Sequence, residues 1–173
     1  MADAKIFSQE VHRRRVKKFP RRHVVVTGVN EIWSMDLAFM DRLADENKGN
    51  KFILCIVDVL SKYAWCVPIK NKSAATVLNA LKSVIEKSRR KPQKIWVDKG
   101  SEFYNKEFKD WAKSNNITID ATDSESKSVI AESFIKTIKS KIQKYSTETN
   151  SRNWVDVSPE IVSITIMCTV QLR

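Results

Sequence analysis

The order of strand-like and helix-like segments constrains the fold of this chain most. Three apolar runs with strand character come first, at residues 31–40, 51–59 and 63–69. Helical and strand-like patterns then alternate: helix 74–89, strand 94–97, helix 105–115, strand 117–121, a polar loop 122–128 and helix 129–145. The resulting order, βββαβαβα, predicts an α/β domain with a mixed five-stranded sheet flanked by helices. The first strand is expected to be central, because later βα units pack beside it on right-handed crossovers.

The segment before these elements is strongly basic. Between His12 and His23 it contains no acidic residue, and Pro20 argues against a continuous helix. Its basic residues are Arg13, Arg14, Arg15, Lys17, Lys18, Arg21 and Arg22. We predict a flexible arm over 1–23 that contacts nucleic acid or serves nuclear import, with a merely solvated tail as the alternative. The core is predicted over 24–150, and 151–173 is an atypical C-terminal tail.

Net charge points to a polyanionic partner. Lys and Arg number 31 against 20 Asp and Glu, which gives a net charge of +11 and an isoelectric point near 9.7. Such an excess is most simply explained by nucleic acid. No stretch is long and apolar enough to span a membrane, and no secretion signal is evident. The three cysteines are odd in number and scattered, which favours reduced thiols in an intracellular protein over a disulfide framework or a zinc site.

Three acidic residues stand in contexts that predict a shared site. Asp36 lies in the middle of the first strand, Asp98 ends the fourth, and Glu132 lies on the last helix. Since the first and fourth strands are expected to be neighbours, the carboxylates can converge at one point. Water-poor carboxylates suit hard divalent cations, which favour phosphate substrates.

The last helix carries two separate stripes. Glu132, Lys136, Lys139 and Gln143 share one face, which we interpret as a metal ligand beside a phosphate track. The alternative is an ordinary Glu–Lys surface pair, worth a few tenths of a kcal/mol. Phe134, Ile138 and Ile142 form the other stripe, assigned to the core.

Four motifs together resemble the catalytic core of retroviral-type DDE integrases. They are Trp33-Ser34-Met35-Asp36-Leu37, Val57-Asp58-Val59-Leu60-Ser61-Lys62-Tyr63-Ala64-Trp65, Val97-Asp98-Lys99-Gly100-Ser101-Glu102-Phe103 and Ala131-Glu132-Ser133-Phe134. The chain is most similar to integrases of Maverick/Polinton-like and LTR-type transposable elements. The resemblance covers about residues 24–145.

This resemblance implies a ribonuclease H-like fold and a DNA integrase of transposon origin. It implies that Asp36, Asp98 and Glu132 bind two Mg²⁺ or Mn²⁺ ions, and that the enzyme processes element 3′ ends and joins them to target DNA. DNA and a homo-oligomeric assembly are the implied partners, and the nucleus is the implied compartment. Lys136 and Lys139 are expected to bind DNA together with the arm.

The sequence departs from the family pattern in two places. Ser133 and Ile135 stand where the family usually has Arg and Asn, and the loss of polar groups beside the metal ligand is expected to weaken DNA positioning. The tail reads as the product of a truncated or frame-shifted gene, or as a short β-prone segment. A catalytically inactive DNA-binding remnant and a ribonuclease H-like nuclease therefore stay open as alternatives.

Three further sets of residues have competing interpretations. Asp58 is favoured as a turn residue over a catalytic carboxylate. Glu102 is favoured as a loop carboxylate with local hydrogen bonds over a group that orients a metal-bound water. Trp33, Trp65, Trp96 and Trp111 are assigned to the core and not to base stacking.

Overall fold

A five-stranded sheet with helices on both faces organises the protein. The computed structural model describes residues 25–121 and 125–163, with only the backbone described at 125–128. The strands are β1 (Ile32–Phe39), β2 (Phe52–Asp58), β3 (Ala64–Ile69), β4 (Lys94–Val97) and β5 (Thr118–Ala121). The helices are α1 (Ala74–Ser88), α2 (Lys106–Ser114) and α3 (Glu125–Thr149), and two 3-10 turns, Asp41–Leu43 and Asp45–Asn47, join β1 to β2. None of the helices in this described part is long and apolar enough to cross a membrane.

The sheet is mixed, and β1 is its central strand, as the sequence predicts. The strand order is β3-β2-β1-β4-β5. The pairs β1–β2 and β2–β3 are antiparallel, whereas β1–β4 and β4–β5 are parallel. The first three strands form the expected meander, and β4 and β5 are added on the other side of β1. Asp36 therefore lies on the strand next to β4, and Asp98 directly follows β4.

Side-chain caps define where the first two helices begin. The Ser73 hydroxyl accepts a hydrogen bond from the Thr76 amide at 3.4 Å, and the Asn105 side chain accepts one from the Phe108 amide at 2.9 Å. Each cap satisfies an amide that has no partner within the helix. Both caps confirm the predicted helix starts to within a residue.

The last helix is longer than predicted. It begins at Glu125 and ends at Thr149, so the prediction of a loop through Ser128 and a helix end at Tyr145 is wrong at both ends. Residues 122–124 of the predicted loop lie outside the described part. The polar residues of the first turn carry no apolar periodicity, which is why the pattern placed the helix start too late.

The sheet separates two hydrophobic clusters. On one face, β1 side chains pack with helices α1 and α2: Trp33, Met35, Leu37, Leu78, Leu81 and Phe108. On the other face, α3 covers the sheet through Ala38, Ile53, Cys55, Ile135, Ile138 and Ile142. Trp33 and Trp96 are buried, and Trp65 and Trp111 are partly buried against the core, which confirms their assignment.

Part of the tail packs against the sheet face that α3 covers. Trp154 is 1% exposed and joins that cluster with Ile161 and Val162. The buried Asn47 side chain accepts from the Trp154 amide at 2.7 Å and donates to the Arg152 carbonyl at 2.9 Å. Residues 158–163 are helical, so the β-prone alternative for the tail is wrong there; residues 164–173 lie outside the described part.

Candidate active site

Asp36 is placed by the alternation of β1. Trp33, Met35 and Leu37 point to the face covered by α1 and α2. Asp36 therefore points to the opposite face, which α3 covers. Its side chain is partly buried, and its Oδ1 accepts a hydrogen bond from the Leu37 amide at 2.7 Å.

Asp98 is the first residue after β4, and a tight loop positions it. Its Oδ1 accepts a hydrogen bond from the Gly100 amide at 3.0 Å. A Cβ built on Gly100 would lie 2.9 Å from Asp98 Oδ1 and 2.8 Å from Glu102 Oε2. The two carboxylates thus lie next to each other against the bare Cα of Gly100, and any other residue there would displace one of them.

Glu132 reaches the site from α3. Its neighbour Ala131 is completely buried, whereas Glu132 is exposed at the edge of the helix–sheet contact. Helix α3 contacts β1, β2 and β4, and the negative charge of Glu132 acts on Asp36.

The pKa of Asp36 responds to its burial and to the carboxylates around it. Burial, followed by the negative charges of Asp98, Glu132 and Glu102, raises the pKa of Asp36 to about 6. The hydrogen bond from the Leu37 amide acts in the opposite direction and only partly offsets them. Asp98 and Glu102, in the loop after β4, and Glu132, on α3, therefore all disfavour the charged form of Asp36.

Sequence reasoning underrated Glu102. The backbone carbonyl of Glu102 accepts a hydrogen bond from Asn105 Nδ2 at 3.2 Å. Its carboxylate instead lies beside Asp98 and raises the pKa of Asp36. The spacing of four residues between Asp98 and Glu102, across a glycine, was the signal available in the sequence.

The site fits a divalent cation by the chemistry of its donors. All donors are carboxylate oxygens, the ligand type that Mg²⁺ and Mn²⁺ prefer, and the missing side chain at Gly100 lets two of them lie next to each other. Within the described residues, no three acidic, His or Cys side chains are already close enough together to hold one ion. Side-chain rotation at exposed Asp98 and Glu132 would be needed to close the donor set.

The two predicted stripes on α3 are present, with one addition. Lys136, Lys139 and Gln143 are exposed, and Ile138 and Ile142 are buried. Ile135 is only 8% exposed and packs in the core. The expectation that the loss of a polar group at this position weakens DNA positioning stays a prediction. Ser133 is exposed next to Glu132. The expectation that the loss of a polar group at this position weakens DNA positioning also stays a prediction. The basic arm lies outside the described residues.

Asp58 is a structural residue, as predicted. It is completely buried, and its carboxylate accepts from the Asn30 amide at 2.6 Å and from both the amide and hydroxyl of Ser61 at 2.7 Å. Arg90 Nη2 lies 3.8 Å from it. These contacts hold the β2–β3 turn, so Asp58 does not contribute to the acidic site.

Comparison with known proteins agrees with this geometry. Residues 26–127 match the integrase core domain family. The chain belongs to the integrase core domain family. It is 32% identical to an uncharacterized transposon-derived protein of Caenorhabditis elegans. The alignment spans 124 residues, which is 72% of this chain. The chain spans only 43% of that relative's length.

Solved retroviral structures share the fold of this integrase core. The trimeric HTLV-2 integrase catalytic core domain, in complex with magnesium, superposes with a TM-score of 0.63 at 20% identity, covering 77% of this chain and 82% of that one. A chain of the simian T-cell lymphotropic virus intasome, in complex with PP2A regulatory subunit B56 gamma, superposes with a TM-score of 0.70 at 18% identity. The match covers 88% of this chain and 53% of that one. The ribonuclease H-like fold predicted from the sequence is confirmed. The closer likeness to Maverick/Polinton enzymes stays a prediction.

Proposed function

We propose that this integrase core is a DDE-type polynucleotidyl transferase that cuts element DNA and joins its 3′-hydroxyl to target DNA. The observation that supports this most is the raised pKa of Asp36 among Asp98, Glu132 and Glu102. Carboxylates on β1, in the loop after β4 and on α3 of a basic protein favour a divalent cation and a polyanionic substrate over a purely structural cluster.

In this proposal Asp36, Asp98 and Glu132 hold two Mg²⁺ or Mn²⁺ ions. When bound, the ions supply activation of the attacking oxygen and stabilisation of the leaving oxygen at the phosphodiester. Asp36 provides the rigid ligand, because it lies within the central strand and is paired there with Cys55 of β2. Asp98 and Glu132 provide adjustable ligands, since both are exposed and can rotate when substrate binds.

The DNA path follows from the exposed face of α3. Lys136 and Lys139 lie one and two turns beyond Glu132 and are exposed, so they are placed to contact phosphates next to the cut. The arm that carries Arg13, Arg14, Arg15, Lys17, Lys18, Arg21 and Arg22 adds further phosphate contacts in this proposal. The active form is a homo-oligomer that brings DNA ends and target together in the nucleus.

The decisive test is a strand-transfer assay. The full chain is incubated with Mn²⁺ and labelled duplexes that end in the terminal repeats of the parent element. We expect shortened 3′ ends and higher-molecular-weight joined products from the unaltered protein, and neither from Asp98→Asn. Asp110→Asn, an exposed aspartate on α2 at the opposite face of the sheet, is the matched control and should retain both products.

Three outcomes separate the proposal from its alternatives. DNA binding without any cleavage would support an inactive DNA-binding remnant. Cleavage without joining, above all of RNA–DNA hybrids, would support a ribonuclease H-like nuclease. Equal activity in Asp98→Asn and in the unaltered protein would mean that the acidic site is misassigned.

A further inference from the structure

Two cysteines lie side by side on neighbouring strands. Cys55 of β2 and Cys66 of β3 are direct cross-strand partners in the antiparallel register. Their sulfur atoms are 3.7 Å apart, and both thiols are free. Directly opposed residues of an antiparallel pair have Cα atoms roughly 4.5–5.5 Å apart, within the range of about 4.4–6.8 Å that disulfides span.

The two thiols differ in their access to solvent. Cys55 is completely buried, whereas Cys66 is partly exposed. Cys66 also lines a cavity of about 790 Å³ that extends along β3, between α1 and the 158–163 segment. A small oxidant can therefore reach Cys66 but cannot reach Cys55 directly.

We infer that Cys55 and Cys66 form a reversible disulfide in response to peroxide. In the first step the Cys66 sulfur attacks a peroxide oxygen, an S–O bond forms, and the O–O bond breaks with loss of hydroxide, which takes up the thiol proton as water. In the second step the Cys55 sulfur attacks the Cys66 sulfur, the S–S bond forms, and the S–O bond breaks. The leaving hydroxide takes the Cys55 proton, so peroxide is reduced to two waters while two thiols are oxidised.

The geometry requires only a small movement. The sulfur atoms must close from 3.7 Å to a bond length of about 2 Å, which side-chain rotation can supply while the strands stay paired. Disulfides in intracellular proteins are usually transient and redox-sensing, which matches a pair that is reduced in the resting structure.

The pair is adjacent to the acidic site. Cys55 is the direct β1–β2 partner of Asp36. A disulfide bond at Cys55 therefore forms one strand away from Asp36, close enough for oxidation to affect the acidic site. The disulfide itself does not depend on the proposed function.

The test is peptide mapping of the full chain after exposure to hydrogen peroxide. Free thiols are blocked with iodoacetamide and the protein is cleaved with trypsin, which places Cys55 in peptide 52–62, Cys66 in 63–70 and Cys168 in 153–173. We expect a linked species of peptides 52–62 and 63–70, lighter than their sum by two hydrogens and released by dithiothreitol. Cys168→Ser should form it to the same extent, whereas Cys66→Ser should not form it.

The inference would be overturned if peptides 52–62 and 63–70 were recovered as separate, alkylated species at peroxide concentrations that oxidise Cys168. A link from Cys66 to Cys168 or to a second chain, or oxidation of Cys66 to sulfinic acid without a link, would also overturn it. Because the unaltered protein carries the main readout, a folding defect in either variant leaves the result interpretable.

Discussion

At the scale of single residues, Asp36 contributes a pH-dependent part of the stability. Its pKa is raised from 3.8 to about 6, so the folded state binds a proton more tightly than the unfolded chain does. Stability from this group is fully present below about pH 4 and is lost as pH rises towards 6. At neutral pH the charged Asp36 therefore destabilises the metal-free protein.

Asp36→Asn should remove this penalty. A rise of about two pKa units corresponds to an upper limit of about 3 kcal/mol, and partial solvent contact lowers it to about 1–2 kcal/mol. We expect urea unfolding in EDTA to show the variant more stable by that amount at pH 7, with the difference vanishing below pH 4. A difference that stays constant from pH 4 to 8 would contradict the assigned pKa.

Gly100→Ala tests the close approach of the Asp98 and Glu102 carboxylates at Gly100. The new Cβ would lie under 3 Å from Asp98 Oδ1 and Glu102 Oε2, and both side chains can swing away. We therefore expect unfolding free energy to change by about 0.5 kcal/mol or less, but Mn²⁺ affinity to fall by about tenfold or more in titration calorimetry. Gly28→Ala is the control, since its Cβ meets nothing within 4 Å. Unchanged Mn²⁺ affinity in Gly100→Ala would argue against a role of this close approach in metal binding.

At the scale of elements, we expect the buried residues of helix α3 to contribute to stability and its exposed lysines to DNA binding. Ile138→Ala should lower the free energy of unfolding by about 2–5 kcal/mol, because Ile138 is 1% exposed in the core. Lys136→Glu and Lys139→Glu should change it by about 0.5 kcal/mol or less, yet weaken DNA binding and reduce the log–log salt slope by about 0.9 per lost phosphate contact.

Lys113→Glu, exposed on α2, controls for the change in net charge. Chemical denaturation and DNA titrations at several salt concentrations provide both readouts. If the lysine variants on α3 lose as much stability as Ile138→Ala, the two stripes of the helix are assigned to the wrong faces.

Sequence patterns predicted the elements well where local chemistry decides them. Strand β4 begins and ends where predicted, and the caps Ser73 and Asn105 mark the starts of α1 and α2. The burial of Ile135 was not predicted, although Ile135, Ile138 and Ile142 follow helical spacing, because the position was interpreted only as a departure from the family pattern. The Asn47–Trp154 contact was missed because it depends on packing and not on a local signal, since its partners are 107 residues apart.

At the scale of the whole molecule, the order of elements correctly predicted that β1 and β4 are neighbours and that the last helix packs across them. That Asp36, Asp98 and Glu132 act as one site stays a prediction. The part played by Glu102 depends on the close approach at Gly100, which the spacing of residues suggested but could not establish.

The most direct test of the account is the effect of Mg²⁺ on the melting temperature of three proteins: the unaltered chain, Asp98→Asn and Asp110→Asn. A cation held by the acidic site stabilises only the folded state, so at about 100 times its dissociation constant it should raise the melting temperature by roughly 5–10 °C. We expect this rise in the unaltered chain and in Asp110→Asn. Asp98→Asn should melt slightly higher than the unaltered chain without metal and lose most of the rise. An equal rise in all three proteins would contradict the account.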